Sequence, residues 1–284
     1  MTASTPLHIT AIIVTHNSAA VIQKAVAALA LQKQVIKQLV LVDSGSTDTA
    51  YLDAAVAPLS QSDVVVTRLN VENVGFAKGN NLGIAAASTA TSHFLFVNPD
   101  CFLAPDWLDK ALVYSAAHPQ AVISSPLYGY DIKADSPSGL WDSQGITHTR
   151  LLGRWYDIGQ GKPITETQTA AVKALCGALM LVPAAAVHCL SKQPGGFFDE
   201  NFYMYKEDID TSLRLSRAGY TLTILPDLIA HHCRGWQPDR QKMARWARLR
   251  SAENNLRLLR KHPALFPYGL FYSLQYLLVR YANR

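Results

Sequence analysis

Four cysteines in 284 residues, Cys101, Cys176, Cys189 and Cys233, form no CxxC pair, which argues against a disulfide framework and a thiolate zinc site. They read as reduced, mostly buried thiols. Charged residues are scarce, 17% against 49% hydrophobic, which excludes a disordered chain and leaves apolar surface for a large core. Met1 to Thr10 lack the cationic start, apolar centre and cleavage site of a secretory signal, so nothing directs export and the cytoplasm is the expected compartment. No internal repeat or low-complexity tract is visible. A GxGxxG after the first apolar run and a GxxxxGK[ST] are both missing, which disfavours a dehydrogenase and a P-loop enzyme.

What is present is an alternation. Apolar, β-branched runs at Ile9 to Thr15, Leu39 to Asp43, Val64 to Leu69, Phe94 to Val97 and Ala121 to Ser125 read as buried strands. Helical spacing fills Ser18 to Leu31 behind an Asn17 cap, Thr47 to Ala57, Phe76 to Ala87, and Pro105 to Ala117. Strand and helix alternating in this way predict an α/β fold, a mostly parallel central sheet flanked by helices, with ligands beyond the carboxyl ends of the strands. After Pro126 glycine and proline interrupt the pattern, which reads as long loops. A helix from about Lys206 to Ala218, stopped by Gly219, and a strand from Tyr220 to Leu225 close the body.

Acidic residues are scarce again at the end of the chain. Residues 234–284 hold 11 Lys and Arg against 2 Asp and Glu, a net +9, whereas residues 1–233 carry a net −4. The tail is basic up to Lys261 and then apolar and aromatic, from Leu265 through Phe266, Leu270, Leu274 and Leu277 to Leu278. Pro267, Gly269 and Gln275 interrupt it below the ~20 apolar residues a spanning helix needs. A helical, basic and amphipathic appendage lying on a membrane surface is expected, with a helix packed on the body as the competing outcome. No nucleic-acid-binding fold accompanies the charge.

Three strand ends collect polar groups at one edge: Thr15, His16 and Asn17; Asp43 through Ser46 to Asp48; and Asn98 with Asp100. One such aspartate is ordinarily a turn former, but three on neighbouring strands suggest a site, and Asp100 could hold a divalent cation. A second dense segment, Asn73, Gly75, Phe76, Lys78 and Asn80, places glycines and amides at a helix start, either to approach an anion or to pack the helix tightly. Glu207, Asp208 and Asp210 crowd three carboxylates into a helix first turn behind aromatic residues, more than the helix dipole requires, and could supply a general base. His231 and His232 follow a strand near Gly235 and could complete a metal site.

Together these segments, over roughly residues 8 to 236, resemble the family 2 glycosyltransferases, most closely the rhamnosyltransferase-like branch of bacterial surface-polysaccharide synthesis. The resemblance implies a GT-A, Rossmann-like fold in which residues 1–126 bind nucleotide and 127–236 hold the acceptor and catalytic half, with 237–284 appended. It implies Thr15, His16, Asn17, Asp43, Ser46, Asp48, Asn73, Gly75, Phe76, Lys78, Asn80, Asn98 and Asp100 on the nucleotide-sugar, Asp43 near the base. Asn98-Pro99-Asp100 stands where the family has its Asp-x-Asp metal motif. Mg²⁺ or Mn²⁺ would be held by Asp100 and by the histidine of a His-x-x-Gly setting, for which His232 fits better than His231. Asp208 would be the base, supported by Glu207 and Asp210, whose charges should raise its proton affinity. The implied reaction is inverting transfer of L-rhamnose from dTDP-rhamnose to a lipid-linked or polysaccharide acceptor at the inner face of the cytoplasmic membrane. Another hexose from a UDP-sugar, or a non-catalytic nucleotide-sugar-binding partner, are the alternatives.

Overall fold

The computed structural model describes residues 7–32, 35–59, 62–165, 171–234 and 244–281. The first half alternates as expected: β1 (Ile9–Thr15), α1 (Ile22–Ala30), β2 (Ile36–Ser44), α2 (Tyr51–Val56), β3 (Val65–Val71), α3 (Gly75–Ala85), β4 (His93–Val97), β5 (Cys101–Leu103), α4 (Trp107–Ala117) and β6 (Ala121–Ser124). Then follow β7 (Leu127–Asp131), β8 (Ser136–Ser143), β9 (Ile146–His148), β10 (Trp155–Asp157), β11 (Leu179–Pro183), α5 (Ala184–Ser191), α6 (Glu207–Arg217), β12 (Thr221–Ile224) and β13 (Ala230–His232). The seven-stranded sheet has the order β12-β6-β11-β4-β1-β2-β3. Only β11 runs against its neighbours. Alternate residues of β1 feed two separate cores, Ile9, Ala11 and Ile13 on one face and Ile12 on the other, so helices must cover both.

Two expectations need correction. Asn17 does not cap α1, which starts at Ile22 without a side-chain cap; Asn17 instead takes a left-handed turn (φ 51°) that leads the chain out of β1. Nor are residues 127–157 long loops. Their glycines make the turns of short strands, Gly139 (φ 73°) within β8 and Gly145 (φ 97°) before β9, which build a four-stranded sheet of order β5-β13-β7-β8 and the β9–β10 hairpin. With β9 and β10 only three residues each, and β8 broken by Gly139 and a register shift, little periodicity shows in sequence.

The tail is helical: α7 (Arg245–Lys261), a 3-10 turn over Pro263–Tyr268, and α8 (Gly269–Tyr281). The two helices run antiparallel, with Asn255 Nδ2 donating to Gln275 Oε1 (2.8 Å) and Arg245 to the Arg280 carbonyl (2.8 Å). Leu258, Leu265 and Tyr272 are buried in the same apolar cluster as β1 and β2, so the tail packs on the body. The outer side of α8 keeps Leu270, Leu274, Leu277 and Leu278 exposed. Among the described residues no helix is long and apolar enough to cross a membrane.

Candidate functional site

Parallel pairing aligns the strand ends: Thr15 opposite Asp43, and Asp43 opposite Asn70. Beyond them opens a cleft of ≈ 970 Å³, lined among others by Thr15, His16, Asn17, Asn73, Gly75, Phe76, Asn98 and Asp100. Its loops are interlocked. Asn17 N–H donates to Ser46 Oγ (2.8 Å), and Asn17 Oδ1 accepts from the Thr47 N–H (2.9 Å). His16 Nδ1 pairs with the Ser44 carbonyl (2.9 Å).

Several residues expected on the ligand stand back from this cleft. Asp43 is buried and turned onto Ser46, accepting from its N–H (3.2 Å) and hydroxyl, so it shapes the loop. Asp48 is exposed and accepts from the Ala50 N–H (2.8 Å), which makes it a turn former. Lys78 is exposed on α3, and buried Asn80 donates back to the Phe76 carbonyl (3.0 Å). Gly79 and Gly83 press α3 onto β1; a Cβ would stand 2.7 Å from Val14 and 2.6 Å from Ile12. For these two glycines helix packing, not approach to a ligand, is the physical reason. Gly75 (φ 78°) lies against Tyr203 instead.

On the far wall β13 pairs antiparallel with β5, His232 opposite Cys101, and this register carries the histidine to Asp100. His232 Nε2 lies 3.2 Å from Asp100 Oδ1, while Nδ1 faces Asp142 Oδ2 at 2.8 Å. Burial alone would lower the imidazole's affinity for a proton, but the Asp100 and Asp142 carboxylates drive it up to about 10. Burial would raise Asp100, yet His232 and backbone N–H groups hold it below its usual value. A histidine backed by a carboxylate on one nitrogen and facing a second carboxylate with the other is a donor set for a divalent cation. The residues present therefore fit an ion between Asp100 and His232, although among the described residues no group of three potential ligands is assembled. His231 points elsewhere, its ring tilted against Tyr128 and edge-on to Tyr130. Gly235 and Trp236 lie outside the described residues.

The three acids at the start of α6 separate into different environments. Glu207 is buried, its Oε2 without a hydrogen-bond partner, and burial with the Asp208 charge pushes its carboxyl well up. Asp208 Oδ2 accepts from the Gly177 N–H (3.1 Å), and Gly177 also sits against Phe76 of the cleft wall. Burial raises Asp208, the Asp157 charge adds to this, and two backbone N–H groups partly offset it. Asp210 does not take the supporting role expected of it. It is wholly buried, which alone would raise it, but Arg214 Nε (2.8 Å), Lys261 (2.8 Å) and His262 Nε2 (2.8 Å) bind it and hold it down at about 2. Its negative charge is neutralised there.

Sequence reasoning passed over Asp142, Asp157 and Arg234. Asp142 is the residue skipped where β7 and β8 shift register, Leu127 facing Ser143 and Tyr128 facing Trp141; this bulge aims its carboxylate at His232. Arg234 bridges Asp142 (3.3 Å) and Asp157 (2.8 Å), linking the histidine's support to a carboxylate whose charge reaches Asp208. No local pattern marks either aspartate.

The family model described as glycosyl transferase family 2 matches residues 10–181. Polypeptide N-acetylgalactosaminyltransferase 3 of Taeniopygia guttata is 25% identical over 207 residues, 70% of this chain but 32% of that protein. N-acetylglucosaminyl-diphospho-decaprenol L-rhamnosyltransferase of Mycobacterium tuberculosis is 26% identical over 236 residues, 77% of this chain and 74% of the relative. Among solved structures, a mannosyltransferase from Pyrobaculum calidifontis in complex with GDP-Man and Mn²⁺ superposes with a TM-score of 0.59 at 17% identity, over 97% of this chain and 70% of that one. The architecture is that of GT-A glycosyltransferases.

Proposed function

The chain belongs to glycosyl transferase family 2, and from that premise we propose that it is an inverting, divalent-metal-dependent glycosyltransferase, with dTDP-rhamnose as donor and a hydroxyl of a lipid-linked or polysaccharide acceptor in cell-surface glycan synthesis. The observation that carries it is the pairing of Asp100 with carboxylate-backed His232 on the wall of the cleft that Thr15, Asn17 and Phe76 also line. Mg²⁺ or Mn²⁺ held by Asp100 and His232 would neutralise the leaving nucleoside diphosphate. Asn17, Asn73 and the loops around them bind and orient the donor. Asp208 takes the proton from the acceptor hydroxyl as its oxygen bonds to the anomeric carbon and the bond to diphosphate breaks on the opposite face. A proton affinity raised by burial suits it as a base near neutral pH. Glu207 lies beside it, its carboxyl pushed well up by burial and by the Asp208 charge, and supports it by position rather than as a second base.

Rhamnose as the sugar rests on the resemblance and on the mycobacterial relative's name; a hexose from a UDP-sugar is the alternative. A non-catalytic nucleotide-sugar-binding role would need neither Asp208 nor its raised proton affinity. The exposed leucine stripe of α8, on a tail of net +9, supports peripheral contact with an anionic membrane surface.

The test is a panel of nucleotide sugars with Mn²⁺, read by calorimetry and by turnover. Asp208→Asn should keep donor affinity and lose ~10²–10⁴ in turnover, the usual effect of removing a general base. Asp100→Ala should weaken donor and metal binding together. Normal turnover by Asp208→Asn rejects that residue as base; full activity in excess EDTA rejects the metal.

A further inference from the structure

The turn that delivers Glu207 and Asp208 contains two consecutive non-glycine residues in the left-handed region, Tyr205 (φ 71°) and Lys206 (φ 69°). Bulky residues are disfavoured there and stay only where their surroundings over-determine the conformation. Helix α7 supplies that determination. Asn254, wholly buried, donates through its side-chain amide to the carbonyls of Met204 (2.9 Å) and Tyr205 (2.7 Å). Its own oxygen accepts from Arg257 (2.5 Å), which fixes the direction the amide faces.

Other residues of α7 grip the same region. Arg250 lies over the Tyr203 ring (5.9 Å), and Lys261 binds Asp199 and Asp210. Positions 250, 254, 257 and 261 recur at helical spacing, so one face of α7 makes all these contacts. From the opposite side Tyr203 is tied to the donor segment: its carbonyl accepts from the Phe76 N–H (3.0 Å) and its hydroxyl donates to Asn73 (2.6 Å). The segment from Tyr203 to Lys206 is thus held between the cleft wall and the tail.

We infer that α7 is a brace for this turn and that Asn254 is a positioning residue for Asp208. The inference rests on the reading of Asp208 as the base. Asn254 touches no substrate; it acts through the Met204 and Tyr205 carbonyls, and these set where α6 begins. Asp208 is registered against Gly177 by a single backbone hydrogen bond, so a small shift of the turn changes alignment with the acceptor more than it changes donor affinity.

The neighbouring Asn255 provides the control. It is also buried on α7 but bonds Gln275 of α8, away from the turn. In the full-length protein, Asn254→Ala should speed amide hydrogen exchange of the 203–209 segment about tenfold or more, as loss of buried hydrogen bonds does locally. It should lower kcat at least about tenfold with donor KM nearly unchanged. Asn255→Ala should do neither. Unchanged exchange in Asn254→Ala, or equal effects of the two substitutions, overturns the brace. If Asp208→Asn is inactive while Asn254→Ala exchanges fast and turns over normally, the brace exists but does not position the base, and the inference fails. Normal turnover by Asp208→Asn would instead remove the base assignment, and the exchange comparison would still decide whether α7 holds the turn.

Discussion

Glu207 shows how a single carboxylate can weigh against the fold it belongs to. It is buried next to Asp208, and one of its oxygens finds no partner, so the folded protein holds its proton more tightly than the unfolded chain does. A group with a raised folded pKa favours folding below its unfolded value, near 4, and that contribution is lost as pH rises through the folded value. Glu207→Gln removes the ionisation and should raise Tm by about 2–5 °C at pH 8, a gain that vanishes near pH 4. Calorimetric melts at the two pH values check this; a lower Tm at pH 8 would mean that the charged form is favourably solvated in the fold. Asp210 makes the opposite case three residues later, because Arg214, Lys261 and His262 all bind it. The spacing Glu-Asp-x-Asp reveals that carboxylates gather at a helix start, but not which face each takes. That depends on what α7 brings against the helix from far along the chain.

At the level of elements, strand and helix order in the first half was legible because buried parallel strands are uniformly apolar and their helices are amphipathic. The bulge in β8 was not. Asp142 sits between Trp141 and Ser143 with nothing in sequence to mark it as the histidine's support, since a bulge is defined by a partner strand. Helix α3 was legible as a segment, and of its two readings the glycines at 79 and 83 take the packing one, in contact with β1, while Asn80 bonds back to the Phe76 carbonyl. Gly79→Leu should therefore cost about 1–3 kcal/mol in urea unfolding, since the added side chain meets Val14 at once. A neutral result would return that glycine to the ligand side. The tail's polar grip was hidden for another reason. Asn254 lies in a strongly basic helix and His262 just after it, a composition that reads as solvated, and only packing against α6 and the turn before it shows them to be buried.

For the whole molecule, the tail contributes on two sides. Its inner side joins the core through Leu258, Leu265 and Tyr272, and its outer side leaves Leu270, Leu274, Leu277 and Leu278 uncovered. Deleting it would strip the body of core residues, so the surface is better tested by substitution. Changing all four exposed leucines to serine should leave the melting temperature within a few degrees and abolish sedimentation with vesicles rich in phosphatidylglycerol. Sedimentation equal to that of the unaltered chain would reject a membrane-facing α8. In the main sheet β3, β2, β1 and β4 can pair as the chain emerges, whereas β6 joins only through β11; the second sheet waits longer still. Its central strand, β13, is the last of its strands in sequence, and it must enter between β5 and β7. Until residues 230–232 leave the ribosome, β5 and β7 each present an unpaired edge, open to wrong pairing with other chains. The same insertion brings His232 to Asp100, so a nascent chain that has not completed this sheet lacks the proposed cation site.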